Sequence, residues 1–262
     1  MKGWLRLFFN GGLLSYRALF AWVDPRVYIP SMLGFPLFQL LFFAYVGRAA
    51  SFQDDAFYVV GNAIMTANAG AIFGTSFSVG GERWTQTLSA VLATPANRFA
   101  LFVGRAVPNI ANGILVSTFC FVLGCLLLDV SIGWDQVPAL AVVVVVSTAS
   151  CACFGLVIGS IGLRARDTVL YANLAYLAML VFCGVNVPLD DLPGWMATIG
   201  RALPLTHGIE AGREIANGAT LSDVSGLLVT EALIGCVYAG VAYGLFRLFE
   251  AEGRRRASFE TY

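Results

Sequence analysis

The stretch Pro138-Ala-Leu-Ala-Val-Val-Val-Val-Val-Ser-Thr-Ala-Ser-Cys-Ala-Cys-Phe-Gly-Leu-Val-Ile-Gly-Ser-Ile-Gly162 decides the fold. It contains no Asp, Glu, Lys or Arg. A helix needs roughly 20 predominantly apolar residues to cross a hydrocarbon core about 30 Å thick, and this stretch supplies them. Working outward in both directions, five further segments meet the same requirement: 27–47, 57–80, 99–128, 168–188 and 225–249. Short polar connections separate them, except for one longer connection at 189–224. No Pro/Ser-rich linker, low-complexity run or strong internal repeat interrupts the pattern. The sequence therefore predicts an all-α membrane protein, with six transmembrane helices in one domain over 1–262.

Composition agrees. Hydrophobic residues make up 58% of the 262 and charged residues 12%, and mean hydropathy is +0.76. A soluble domain carries about 25% charged residues, and a chain of this length has no single soluble core able to hide such an apolar excess. A soluble enzyme is thereby excluded. The 16 basic and 16 acidic residues cancel, which argues against a nucleic-acid partner. All six cysteines lie in apolar stretches and read as small buried hydrophobes rather than a disulfide framework. Cys151 and Cys153 are two apart and fall on different faces of a helix, so no metal site is expected there. His207 is the only histidine, too few for paired haem ligands or a zinc peptidase.

Sorting the charges gives an orientation. With both termini cytoplasmic, thirteen of the 16 basic residues fall on inner segments, and only Arg48, Arg201 and Arg213 fall outside. That is a positive-inside distribution. Ahead of the first span, Lys2, Arg6, Asn10, Arg17 and Asp24 share one helical sector, while Trp4, Phe8, Leu13, Phe20 and Trp22 cover much of the rest. Residues 1–24 are thus expected to hold an amphipathic helix in the inner interface. The alternative, a signal peptide, is disfavoured because Asn10, Gly11, Gly12 and Arg17 break any apolar core.

Between the second and third spans, residues 81–95 place Trp84, Leu88, Val91 and Leu92 at i, i+4, i+7 and i+8. They predict a short cytoplasmic amphipathic helix, ended by Pro95. Glu82, Arg83, Thr85, Gln86 and Thr87 form its polar face. Two readings fit: a surface that presses on a soluble partner, or a helix that merely caps the bundle.

The run Glu82-Arg83 … Thr87-Leu88 … Leu92 … Thr94-Pro95, followed by Arg98 and Gly104-Arg105, resembles the coupling-helix signature of ABC-2 type permeases. So does Leu203-Pro204-Leu205-Thr206-His207-Gly208-Ile209-Glu210 … Arg213 ahead of the last span. The chain is similar over nearly its whole length to daunorubicin-exporter and nodulation lipo-oligosaccharide-exporter permeases. This resemblance implies an exporter subunit in a bacterial cytoplasmic membrane, working by alternating access. It implies pairing with two copies of a separate ATPase, which binds the ATP and Mg, and with a second permease copy, identical or related. On that likeness Glu82, Arg83, Trp84, Thr87 and Leu88 contact the ATPase, and 189–224 forms re-entrant external helices that close the exit. Independently, a P-loop requires a lysine after its glycines, and the only lysine is Lys2. This chain is therefore not expected to hydrolyse ATP or to bind a cofactor or metal of its own.

Intramembrane polar residues are costly and are candidate functional positions. Asn62 and Thr66 in the second span, and Asn109 and Asn112 in the third, form same-face pairs. They read either as substrate contacts or as interhelical hydrogen bonds. Similar exporters line the pathway with spans one, two and five. Phe35, Phe38, Phe42 and Tyr45, with Tyr171, Tyr176 and Phe182, then either meet an amphipathic substrate or face lipid. Trp195, His207 and Glu231 are the candidate external gate. Glu231 is the only acid well inside a span; a gating or proton-linked role competes with snorkelling to the outer surface. His207 reads as a satisfied polar residue or as a pH sensor. Two other classes remain to be tested against the exporter: a secondary transporter and a membrane-embedded lipid-modifying enzyme.

Overall fold

The computed structural model describes residue 26 and residues 29–84, 98–165 and 167–256. The expected interfacial helix at 1–24 and most of the coupling segment, including Thr87 and Leu88, lie outside the described residues. Every regular element described is helical. A π-helical turn, Ile29–Gly34, leads into α1 (Phe35–Ala50). There follow α2 (Asp55–Trp84), α3 (Arg98–Leu128), α4 (Val137–Ala165) and α5 (Thr168–Phe182). After a 3-10 turn at Leu189–Asp191 come two short helices, α6 (Gly194–Ala202) and α7 (Thr206–Ala216), and then the long α8 (Ser225–Arg256).

Among the described residues five helical stretches are long and apolar enough to cross a membrane: α1 with part of the turn before it (Met32–Ala50), α2, α3, α4 and α8. The fifth expected span differs from its prediction. Helix α5 ends at Phe182, not 188, and its 15 residues rise about 22 Å at 1.5 Å each. Gly184, at φ +74°, takes a left-handed conformation that a β-carbon would strain, and residues 183–188 leave the helix. A second difference concerns 81–84. The sequence assigns them to a separate short helix, but they continue α2 without a break. Apolar spacing through Trp84 is the same for one long helix as for two, so periodicity alone does not reveal the junction.

Helix α2 is the hub, packing on α1, α3, α4, α5 and α7, while α8 packs mainly on α4. The close approaches depend on small residues. A β-carbon on Gly113 of α3 would stand 2.4 Å from the Ala67 carbonyl oxygen of α2. One on Gly155 of α4 would meet Thr75 and the backbone of Ile72. Of the GxxxG pairs in the long helices, Gly70/Gly74 is used against α3 and Gly155/Gly159 against α2, whereas a β-carbon on Gly240 or Gly244 would meet no atom within 4 Å. Hydroxyls join the same helices. Ser117 Oγ donates to the Ala63 carbonyl at 2.7 Å and Ser76 Oγ to the Gly155 carbonyl at 3.0 Å. Helix α3 runs through Pro108 as one element.

Candidate functional site

The two ends of α2 frame the candidate site. At its C-terminal end, Gly80 and Gly162 both approach the side chain of Thr168, the first residue of α5, too closely to admit a β-carbon. Asp167 caps α5 there by accepting the Leu170 N–H at 2.9 Å. At its N-terminal end, α2 meets the segment 183–216. Helix α7 sits among α2, α4 and α8, with Ile209, Ala211 and Ile215 fully buried in the main apolar core. Short helices are therefore present within 189–224, as expected; there are two, and the second is packed into the bundle.

Two ionisable side chains fix that end, and the sequence reading assigned a role to only one. Arg213, on α7, donates from Nη1 to the Gly184 carbonyl and from Nη2 to the Val185 carbonyl, each at 2.7 Å. Its guanidinium stacks on Phe57, 3.4 Å from the ring centroid. The non-helical 183–188 segment leaves carbonyls without intrahelical partners, and the forked guanidinium supplies donors to two of them. Asn62 holds the same segment from α2, donating to Asn186 Oδ1 at 2.9 Å and to the Tyr58 carbonyl at 3.0 Å. The signal for Arg213 was visible as a charge inside a mostly apolar motif. Its partners were not, because two of them are backbone groups far away in sequence.

Glu231 does not snorkel. It is fully buried in α8, and its Oε1 accepts the N–H of Leu205 at 2.7 Å. Leu205, just before α7, is at φ 100°, a region that non-glycine residues rarely occupy. Ser150 Oγ on α4 donates to the Glu231 carbonyl at 3.1 Å. The remaining members of the expected gate lie at the same end. His207 is in the first turn of α7, with Nε2 3.3 Å from the Arg201 carbonyl and Nδ1 3.9 Å from Glu210. Trp195 is exposed and packs edge-on to Phe182, with ring centroids 6.0 Å apart. Beyond α7, Thr220 donates to Asp223 through its hydroxyl and its amide, at 2.7 and 2.8 Å. These bonds hold the Asp223 carboxyl below its ordinary value.

The expected pathway residues divide into two groups. Asn62 is buried and hydrogen-bonded, and Thr66 Oγ1 donates back to the Asn62 carbonyl at 2.8 Å. Asn109 donates to the Arg105 carbonyl at 3.0 Å and packs against Gly74, about 18 Å along α2 from Asn62 at 1.5 Å per residue. The two Asn-bearing faces are thus not one cluster, and Asn112, one turn on, is half-buried. Phe35, Phe38 and Phe42 are exposed along α1. Tyr176 of α5 is half-buried, bonding Gln39 Oε1 of α1 at 2.6 Å and stacking near Phe73 of α2; Tyr171 is also half-buried. Spans one, two and five therefore meet through Gln39, Phe73 and Tyr176. Glu82, Arg83 and Trp84 form the last turn of α2.

The sequence that folds this way has relatives among known proteins. The sequence model of the family described as "ABC-2 type transporter" matches residues 12–216. The chain belongs to the ABC-2 type transporter family. Among its relatives is the probable multidrug ABC transporter permease YbhR of Escherichia coli (strain K12). It is 26% identical over 202 residues, covering 74% of this chain and 53% of the relative. Nodulation protein J of Rhizobium leguminosarum bv. viciae is 25% identical over 183 residues, covering 68% of this chain and 69% of that one. The chain thus spans about half the length of YbhR. As an ABC-2 family member with several apolar helices, it is a multi-pass membrane protein. The ABC-2 match takes in α1 to α7 and ends at the last residue of α7.

Proposed function

We propose that this chain is the membrane permease subunit of an ATP-driven exporter, moving an amphipathic, drug-like or lipid-linked molecule outward across a bacterial cytoplasmic membrane. Membership of the ABC-2 family over 12–216 is the observation that carries this reading. The sequence supplies no P-loop lysine, so the energy comes from a separate ATPase, two copies of which bind ATP and Mg. A second permease copy, identical or related, completes the pathway.

The geometry supports a route for the force. Helix α2 has 30 residues, which at 1.5 Å each makes a rod about 45 Å long. Its last turn carries Glu82, Arg83 and Trp84, where the ATPase docks together with Thr87 and Leu88. Its first turns carry Phe57 and Asn62, which touch Arg213 and Asn186 at the opposite end. A push on the coupling segment is thus delivered through one continuous helix to the segment holding α6 and α7. That segment is the external lid, with Trp195, His207 and Glu231 as its gate residues. The exposed Phe35, Phe38 and Phe42 of α1, beside Tyr171 and Tyr176 of α5, are the surface offered to substrate and to the second copy. Asn62, Thr66 and Asn109, each hydrogen-bonded within the chain, brace the helices that line the pathway. Both chain ends lie on the ATPase side, as the basic residues require.

The test is to purify the complete chain from its own membrane and ask what comes with it. An ABC-type ATPase should copurify, and Trp84→Ala should leave ATP hydrolysis running while substrate export falls. Recovery of the chain without any ATPase, with the Trp84 variant fully active, would overturn the reading.

A further inference from the structure

A carboxylate inside an apolar bundle is costly unless its oxygens are held. Glu231 is fully buried, yet only one oxygen is bonded. Oε1 accepts the Leu205 N–H at 2.7 Å, and Oε2 has no hydrogen-bond partner. Leu205 sits where the chain turns into α7, at φ 100° and ψ −38°. His207 and Gly208 follow directly in the first turn of α7. A negative group there faces the unpaired N–H groups and positive dipole end of the helix. The junction is also tight. A β-carbon on Gly208 would meet Ser147 Oγ of α4, and one on Gly235, a turn beyond Glu231, would stand 2.9 Å from Ser150.

We propose that Glu231 is a positioning residue that latches the start of α7 to α8, so that α7 leaves its seat only when the Leu205–Glu231 contact breaks. The functional consequence, gating of the exit, rests on the exporter reading; the contact itself does not. What distinguishes a latch from a permanent strut is incomplete satisfaction. Buried polar groups in a fixed core are paired almost throughout. Four of the seven unpaired buried side-chain atoms among the described residues, Glu231 Oε2, His207 Nδ1, Arg213 Nε and Ser147 Oγ, gather around α7; the other three belong to Asn62 and Asn68 of α2. The strained Leu205 backbone adds a further cost to the seated state. Release of α7 relieves strain and frees polar groups, and the Leu205–Glu231 bond opposes it together with the burial of Ile209 and Ile215 and the Arg213 contacts.

The chain carries its own reporter. Cys183 is fully buried beneath the turn before α7, with Sγ 3.8 Å from the Pro204 carbonyl oxygen. Cys120, buried on α3, serves as a control. The full-length chain is placed in lipid nanodiscs and treated with a membrane-impermeant maleimide, and labelled cysteines are located by mass spectrometry. Local opening sets the rate, so Glu231→Leu should label Cys183 about tenfold faster than the parent chain, with Cys120 unchanged. Glu231→Gln keeps an acceptor for Leu205 but turns the second oxygen into a donor facing other donors, and should restore most of the protection, leaving labelling about threefold faster. Ser150→Ala, which leaves the carboxylate in place, should stay within about twofold.

The latch is overturned if Cys183 is as protected in both Glu231 variants as in the parent chain. It is also overturned if Ser150→Ala exposes Cys183 as much as Glu231→Leu does. Should Glu231→Leu label Cys120 as well, or fail to accumulate, Glu231→Gln decides: faster labelling of Cys183 alone supports the latch, and unchanged labelling removes it. Faster labelling of Cys183 in a chain that transports without any ATPase supports the latch and overturns the exporter reading.

Discussion

Helices α1 and α2 lie side by side and use their side chains in opposite ways. In α2, 67% of the spanning stretch is buried within the chain, against 17% in α1. Several polar residues of α2 are committed: Asn62 to Asn186, Thr66 to the Asn62 carbonyl, and Ser76 to α4. The aromatic residues of α1 are displayed, and Phe38 is 72% exposed. A residue that holds helices together is poorly placed to meet a passing molecule, and a displayed aromatic contributes little to the fold of its own chain. Helix α2 thus carries assembly, and on the proposed function transport falls to its neighbour α1.

The largest expected effect lies at the N-terminal end of α2. Arg213→Leu should strip two buried carbonyls, those of Gly184 and Val185, of their donor. At about 1–3 kcal/mol for each unpaired group, the loss is about 3 kcal/mol. Arg213→Lys, which lacks the planar fork, should recover only part of it. Thermal unfolding in detergent measures both, and an unchanged midpoint for Arg213→Leu would mean that Arg213 does not anchor 183–188.

A smaller effect separates used from unused small-residue faces. Gly113→Val drives a side chain into the Ala67 carbonyl of α2 and should cost about 1–3 kcal/mol, as overpacking does. Gly240→Val on α8, with open space around it, should stay within about 0.5 kcal/mol in the isolated chain. Equal losses at the two positions would erase the distinction between the hub and the outer helices.

The smallest stability effect should come from α1. Phe38→Ala should shift stability by no more than about 0.5 kcal/mol and yet lower transport several-fold, whereas Asn62→Ala should lower stability first. The reverse order, with Phe38 stabilising and Asn62 dispensable to the fold, would break the comparison between α1 and α2.

Much of this architecture was legible in the sequence because the bilayer imposes a length requirement that any apolar run either meets or fails. Five long spans follow from run length, and the family resemblance points to short helices before the last one. The early end of α5 was not legible. Val185, Val187 and Leu189 continue the apolar run past Phe182, and what stops the helix is Gly184 together with Arg213, which is 29 residues away. The fate of Glu231 was hidden for the same reason. Spacing places a carboxylate within a span, but its partner, the amide of Leu205, belongs to the backbone and depends on a positive φ that Leu seldom adopts. Side-chain type reveals which groups need partners; only packing reveals which backbone groups provide them.

The most direct test of the exporter reading is reconstituted transport. The chain is placed in liposomes with and without its copurified ATPase, and a fluorescent amphipathic dye is followed under either ATP or an imposed proton gradient. Dye movement that requires both the ATPase and ATP, and is indifferent to the gradient, is the predicted result. Movement by the chain alone, driven by the gradient and unaffected by ATP, would contradict it.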